Sequence, residues 1–227
     1  TMKYIEAILA VLICFTISVA ANASESIIDN RGLGISFAKN GSVSSLTLNN
    51  QDFLAKEHFS GFRLQDVSTG RTDEIAGNAV KSGNSITFTG ISSKLKLAVT
   101  AKVKSDGEKI TAKVSVKDLT SSDRAVWASF VLALKDQQWI WCEDLNKSVA
   151  AKVNELNMCK GTYAFHSQSA FPIGAVTTPG GTGIAVAWPM DNPRFYQQSF
   201  TLKEGGYGEL VLSVPLGITK LTSKFPS

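Results

Sequence analysis

The chain has 227 residues, 44% of them hydrophobic and 19% charged, with a formal net charge of +4 at pH 7. So much apolar material excludes a disordered chain. The balance is too mildly basic for a protein that binds polyanions over its whole surface.

Thr1 precedes Met2, so the natural start is expected at Met2, with Thr1 as upstream read-through, the mark of a fragment. Lys3 opens a short basic region, Ile5 to Val19 is almost wholly apolar, and Ala21-Asn22-Ala23 closes it with the small-x-small pattern of a signal-peptidase site. That is the grammar of a signal peptide, too short and too early for a good membrane span. Cleavage after Ala23 removes 23 of 227 residues and leaves 204. An uncleaved anchor is the alternative, disfavoured by Glu6, and Cys14 follows Leu12-Ile13 rather than the small residues that lipidation needs. The mature chain, residues 24 to 227, is therefore expected to be exported, periplasmic or extracellular, as one domain with no membrane span.

From there nearly all periodicity is two-fold, the mark of half-buried strands. GISFAKNGSVSSLTLNN predicts a hairpin around Asn40-Gly41, and SITFTGI a strand. In KLKLAVTAKVKSDGEKITAKVSVK, apolar residues alternate from Leu95 to Val103 and from Ile110 to Val116 about Asp106-Gly107. A two-residue Asp-Gly loop would pair Val103 with Ile110 and Leu97 with Val116, placing every apolar side chain on one face. Lys104 would then oppose Lys109, and Lys96 would oppose Lys117. Like charges across a ladder repel. Either the face is solvated and its lysines deter edge aggregation, or it meets an acidic polysaccharide.

Farther along, AVWASFVLAL alternates again, and FPIGAVTT and TGIAVAW are two runs split by Pro179-Gly180-Gly181. GELVLSV is a late strand; only KSVAAKVNEL, 147–156, has a helical pattern. Many short strands with frequent turns predict an all-β protein, a large antiparallel β-sandwich with that one short helix.

No catalytic motif is present. GxSxG, the Walker loop and the dinucleotide fingerprint are all missing. His58 and His166 stand alone in sequence, and Asp52, Asp66, Asp106, Asp123 and Asp136 occupy turn contexts. Cys142 and Cys159 remain after export, in an oxidising compartment where such a pair is best read as a disulfide, a bridge worth roughly 3 kcal/mol. A metal site would need more ligands than these cysteines and two histidines offer.

Two stretches concentrate aromatic and directed polar groups. In QQWIWCEDLN, alternation places Trp139, Trp141 and Glu143 on one side, an indole beside a carboxylate as a sugar ring requires. The competing view is that a tryptophan fills the core while the acids cap the following helix. In AVAWPMDNPRFY, Trp188 ends a strand at Pro189, after which Asp191 and Arg194 either pair in a rigid corner or meet a polar ligand or a neighbouring domain.

PIGAVTTPGGTGIAVAWPMDNPRFYQQSF, with LVLSVPLGIT and KFPS after it, resembles a segment of bacterial exported glycoside hydrolases in which a galactose-mutarotase-like β-sandwich, a supersandwich, precedes a (β/α)8 barrel. The specific part reads Ala187-Trp188-Pro189-Met190-Asp191-Asn192-Pro193-Arg194-Phe195-Tyr196. The resemblance covers most of the mature chain loosely and 171–227 more closely; GISFAKNGSVSSLTLNNQDFL matches the first hairpin of such sandwiches. It implies that the catalytic carboxylates belong to the barrel, and that this chain is the non-catalytic, carbohydrate-associated N-terminal domain shaping the barrel's cleft. Trp139, Trp141, Glu143, Trp188, Asp191, Arg194 and Tyr196 would face sugar or the barrel. Mutarotase chemistry is not carried over, because neither histidine matches that motif. Calcium is common in such sandwiches, but no local oxygen cluster suggests it here. The expected partners are a poly- or oligosaccharide and the downstream catalytic domain, with no nucleic acid. A stand-alone carbohydrate-binding module and an adhesive surface sandwich are the competing readings.

Overall fold

A computed structural model describes residues 24–29, 31–107, 109–143, 146–161, 173–191 and 195–218. Residues 1–23, where a signal segment is expected, and His166 and Arg194 lie outside them. The described residues are all-β, and no helix occurs among them. Among the described residues, eighteen strands form four sheets whose strand pairings are all antiparallel.

Two sheets are sequential meanders. The first runs β1 (Glu25–Ile28), β2 (Leu33–Phe37), β3 (Val43–Leu48) and β4 (Gln51–Asp52). Its β2–β3 hairpin is the one predicted around Asn40-Gly41, where Gly41 takes φ 82°. A side chain there would be strained by that backbone and would collide with the Phe88 ring. The second meander runs β7 (Gly77–Ser82), β8 (Ser85–Ser92), β9 (Leu97–Ser105) and β10 (Ile110–Asp118).

The central sheet has six strands in the order β14-β17-β18-β11-β5-β6. These are β14 (Leu156–Gly161), β17 (Tyr196–Lys203), β18 (Tyr207–Ile218), β11 (Arg124–Lys135), β5 (Gly61–Asp66) and β6 (Thr72–Glu74). The fourth sheet has the order β13-β12-β15-β16, from β12 (Ile140–Cys142), β13 (Ser148–Ala150), β15 (Ile173–Thr177) and β16 (Gly183–Ala187). The chain thus divides its strands among four small sheets, propeller-like in their number, rather than between the two large ones of a simple sandwich.

One core joins all four. Alternation along β11 sends Val126, Ala128, Phe130, Leu132 and Leu134 to one face, joined there by Phe62 and Leu64 of β5 and Phe200 of β17. Phe62 stacks on Phe88 of the second meander at 5.0 Å between ring centroids and tilts against Phe130 at 5.2 Å. On the other half of that face, Phe200 meets Trp139 edge-on at 6.0 Å. Each such pair adds about 0.5–1.5 kcal/mol beyond area burial.

The predicted helix at 147–156 is absent. Ser148, Val149 and Ala150 instead pair with Cys142, Trp141 and Ile140, and Asn154 turns the chain with φ 62°. A helix of ten residues is marginal in water unless its apolar stripe is buried. Here Val149, Val153 and Leu156 stay exposed, so nothing would stabilise the stripe, whereas β12 offers a ready ladder.

The β9–β10 register differs from the predicted one by two residues. Val103 pairs with Ala112 and Val99 with Val116, because the ladder closes at Ser105 opposite Ile110, beyond which the Asp106 amide donates to the Lys109 carbonyl at 3.2 Å. A shift of two leaves each residue on its face. The lysine partners do change: Lys102 now opposes Lys113, and Lys117 opposes Ala98.

Candidate functional site

Both tryptophans of the QQWIWC stretch are core residues. Trp139 is 2% exposed and its Nε1 donates to the Lys135 carbonyl at 3.0 Å; Trp141 is 3% exposed and leans on Gly174. A Cβ at position 174 would sit 2.7 Å from the Trp141 ring, so glycine is what admits the indole. Neither ring can offer a face to a sugar. Glu143 is half-buried in the turn after β12, where its amide donates to the Lys147 carbonyl at 2.9 Å.

The expected bridge between Cys142 and Cys159 is not formed. Cys159 is buried on β14 with Sγ 3.0 Å from Gln198 Oε1, while Cys142 on β12 lies in a different sheet with Sγ 3.8 Å from Thr177 Oγ1. Gln198 also donates from Nε2 to the Val186 carbonyl of β16 at 3.0 Å, so its amide ties the fourth sheet to the central one, while its contact with Cys159 lies within the central sheet.

Beyond β16, Trp188 packs half-buried on the core, while Met190 and Asp191 are exposed. An Asp191–Arg194 pair lies outside the described residues. Tyr196 opens β17 almost buried, and that burial, with the nearby Cys159, raises its phenol above the ordinary value. A buried phenol offers little to a ligand in solution.

The accessible directed groups gather instead at the end of the central sheet around the β17–β18 turn. His58 stacks on Tyr207 with ring centroids 3.6 Å apart and planes 17° from parallel. Next to them Glu209 receives Arg63 Nη2 at 2.8 Å and Lys203 Nζ at 3.7 Å. Arg63 also reaches Glu74 at 3.3 Å and lies 5.8 Å over the Phe59 ring. Beside the stack, Asp136, Val153, Leu202, Lys203, Glu204 and Gly206 line a shallow depression of about 260 Å³. Ligand pockets usually hold about 300–1,000 Å³, so this one suits a contact on a surface better than an enclosed substrate. The sequence offered no signal for it: His58 and Tyr207 are far apart in the chain, and only the fold stacks them.

A second constellation is fully structural. Arg124 at the start of β11 donates from Nη2 to Asp66 Oδ2 at 2.9 Å, and from Nη1 to Asp118 Oδ1 at 3.0 Å and the Leu95 carbonyl at 2.8 Å. Asp66 ends β5 and Asp118 ends β10, so one guanidinium pins the second meander to the central sheet. The Asp66 carboxyl is held far below the ordinary carboxylate range by the Ser68 hydroxyl, which with the Thr69 amide and Arg124 outweighs burial. For Asp118, burial acts upward, but hydrogen bonds from Arg124, Thr120 and Ser122 win and lower it.

Among the described residues, no group of three or more His, Cys, Asp or Glu side chains is placed to hold a metal ion. No helix among them is long and apolar enough to cross a membrane. No protein-family model matches the sequence, and no curated protein matches it either. What stands defined is a class: an all-β protein of four small sheets around one core, with an aromatic and charged rim at one end of its central sheet.

Proposed function

We propose that the chain is the non-catalytic, carbohydrate-associated N-terminal domain of an exported glycoside hydrolase, packing against a downstream barrel and shaping its cleft. In this reading the four sheets form a two-layer sandwich of the galactose-mutarotase-like kind, the six-stranded sheet as one layer and the three smaller sheets as the other. The ring contacts Phe62–Phe88 and Phe200–Trp139, which leave the same face of the six-stranded sheet for two different partners, support that layering.

The observation that carries the functional reading is the rim itself. A stacked His58–Tyr207 pair beside Glu209, Lys203 and Asp136 gives apolar ring area with carboxylate and ammonium groups around it. That combination suits the edge of a sugar cleft or a polar domain interface, and its shallowness favours a shared surface over an enclosed active site. Reading the genomic DNA past the codon for Ser227 tests the proposal. A continuing frame that encodes alternating strands and helices is the expected result, and an immediate stop codon in an intact gene overturns it.

The half-buried stack at the rim also suits a stand-alone carbohydrate-binding module. That reading predicts retention of the isolated chain on a polysaccharide column, lost in Tyr207→Ala.

A further inference from the structure

The outer face of the second meander is a flat, lysine-bearing surface with no acidic side chain on it. Alternation and register place Lys102 and Lys104 of β9 and Lys113 and Lys117 of β10 on that face, with Thr100, Thr111 and Ser115 between them. Thr87 and Thr89 of β8 continue it, opposite Lys102 and Thr100. All four lysines are exposed, and none is in an ion pair among the described residues. Residues 77–118 hold eight lysines against three acids, net +5 in a chain whose total is +4, so the positive charge resides here and the remainder is close to neutral. Of the three acids, Asp118 is spent on Arg124, Asp106 follows the end of β9, and Glu108 lies outside the described residues.

Lys102 directly opposite Lys113 is an arrangement that costs stability in a bare sheet. A line of negative charge laid across the strands would reverse the sign of that interaction. Successive outward residues on one strand are roughly 6.6 Å apart and neighbouring strands roughly 4.8 Å apart, a grid of ammonium groups with hydroxyl donors and acceptors in the gaps. Hydroxyls between cations match a chain that carries both carboxylates and sugar hydroxyls. Nucleic acid fits less well: the face has no aromatic ring to stack a base and no arginine to fork onto phosphate.

We infer that this face binds an acidic polysaccharide, a uronate-type chain with regularly spaced carboxylates. The inference deepens the carbohydrate-associated reading but concerns a different surface from the rim, and it does not require the barrel.

Affinity electrophoresis of residues 24–227 through gels containing alginate, with dextran and single-stranded DNA gels beside them, tests it. The wild-type chain is expected to be retarded by alginate at low salt, not by dextran, and less by DNA. The triple variant Lys102→Thr, Lys104→Thr, Lys113→Thr, chosen to keep strand propensity, should lose roughly tenfold in alginate affinity, the sum of a few weak exposed charge contacts. A triple of equal charge change elsewhere, Lys39→Thr, Lys56→Thr, Lys152→Thr, at exposed lysines outside both this face and the rim, should lose less than about twofold by the same scale. The Lys→Arg triple at 102, 104 and 113 should keep binding, which separates loss of charge from loss of fold. No retardation of the wild type, equal losses in both threonine triples, or tighter retardation by DNA would each overturn the inference. The accessory-domain reading survives any of these, since it falls only to the frame beyond Ser227.

Discussion

Arg124 and Asp66 are 58 positions apart in sequence, yet the guanidinium Nη2 lies 2.9 Å from the Asp66 carboxylate, with 16% and 4% of the two side chains exposed. The same guanidinium holds Asp118, whose side chain is wholly buried. Removing one member of such a group leaves charge in a dry place without its partner, typically a loss of about 3–5 kcal/mol. Arg124→Met should therefore lower the free energy of unfolding, read from urea titrations, by that much, even though methionine fills similar volume. A loss under about 1 kcal/mol would mean that water reaches both carboxylates in solution.

The same cluster sets the acid limb of stability. Both carboxyls are lowered in the folded state, so their stabilisation is complete above the unfolded carboxylate value, near 3.9, and drains away as pH falls toward the folded values. Urea midpoints should stay level between about pH 7 and 5, then fall steeply below about pH 4. Asp66→Asn should flatten that descent, since one of the two protons no longer has to be taken up on unfolding. An equally steep limb in the variant would place the acid sensitivity elsewhere.

Trp139 separates a structural tryptophan from a sugar platform. Its ring packs against Phe53 at 6.5 Å and Phe200 at 6.0 Å, and its indole nitrogen is bonded to backbone. Trp139→Ala should cost about 3–5 kcal/mol, as large-to-small changes in a core do. At a temperature where the variant remains folded, retention on any polysaccharide that binds the wild type should be unchanged. Selective loss of retention would return the residue to the binding surface.

What was legible in the sequence follows from how local each signal is. The hairpin at Asn40-Gly41 and the strand SITFTGI rest on neighbours a few residues apart, and both are present; β11 is a strand as well, but Val131 and Ala133 on its other face are buried too, so its burial does not alternate. The β9–β10 face was legible because parity survives a register shift of two; the pairing was not, because the ladder closes at Ser105 opposite Ile110 rather than where a two-residue Asp-Gly loop would close it. The 3.6-fold pattern in KSVAAKVNEL misled because a stripe of Val149, Val153 and Leu156 means helix only if something covers it. Trp139 and Trp141 illustrate a different limit. Alternation tells which residues share a face, and only the packing of Phe53, Phe200 and Gly174 tells which way that face looks. Arg124 with Asp66, and His58 with Tyr207, are long-range meetings with no local trace at all.

Cys142 and Cys159 carry the last test. Cys159 is 1% exposed with its Sγ 3.0 Å from Gln198 Oε1, and Cys142 sits half-buried in another sheet. A thiol-reactive dye should titrate two thiols in the urea-unfolded 24–227 chain. In the folded chain one should react readily and the other only at the rate of opening, because the thiolate of a buried cysteine is both inaccessible and disfavoured. Cys159→Ala should cost about 1 kcal/mol for the lost hydrogen bond, and Cys142→Ala less, since that thiol makes only a long contact with Thr177. If the unfolded chain shows no reactive thiol until a reductant is added, the two sulfurs are bridged in solution, and the fourth sheet would then be fastened to the central one by a covalent bond in addition to the Gln198–Val186 hydrogen bond.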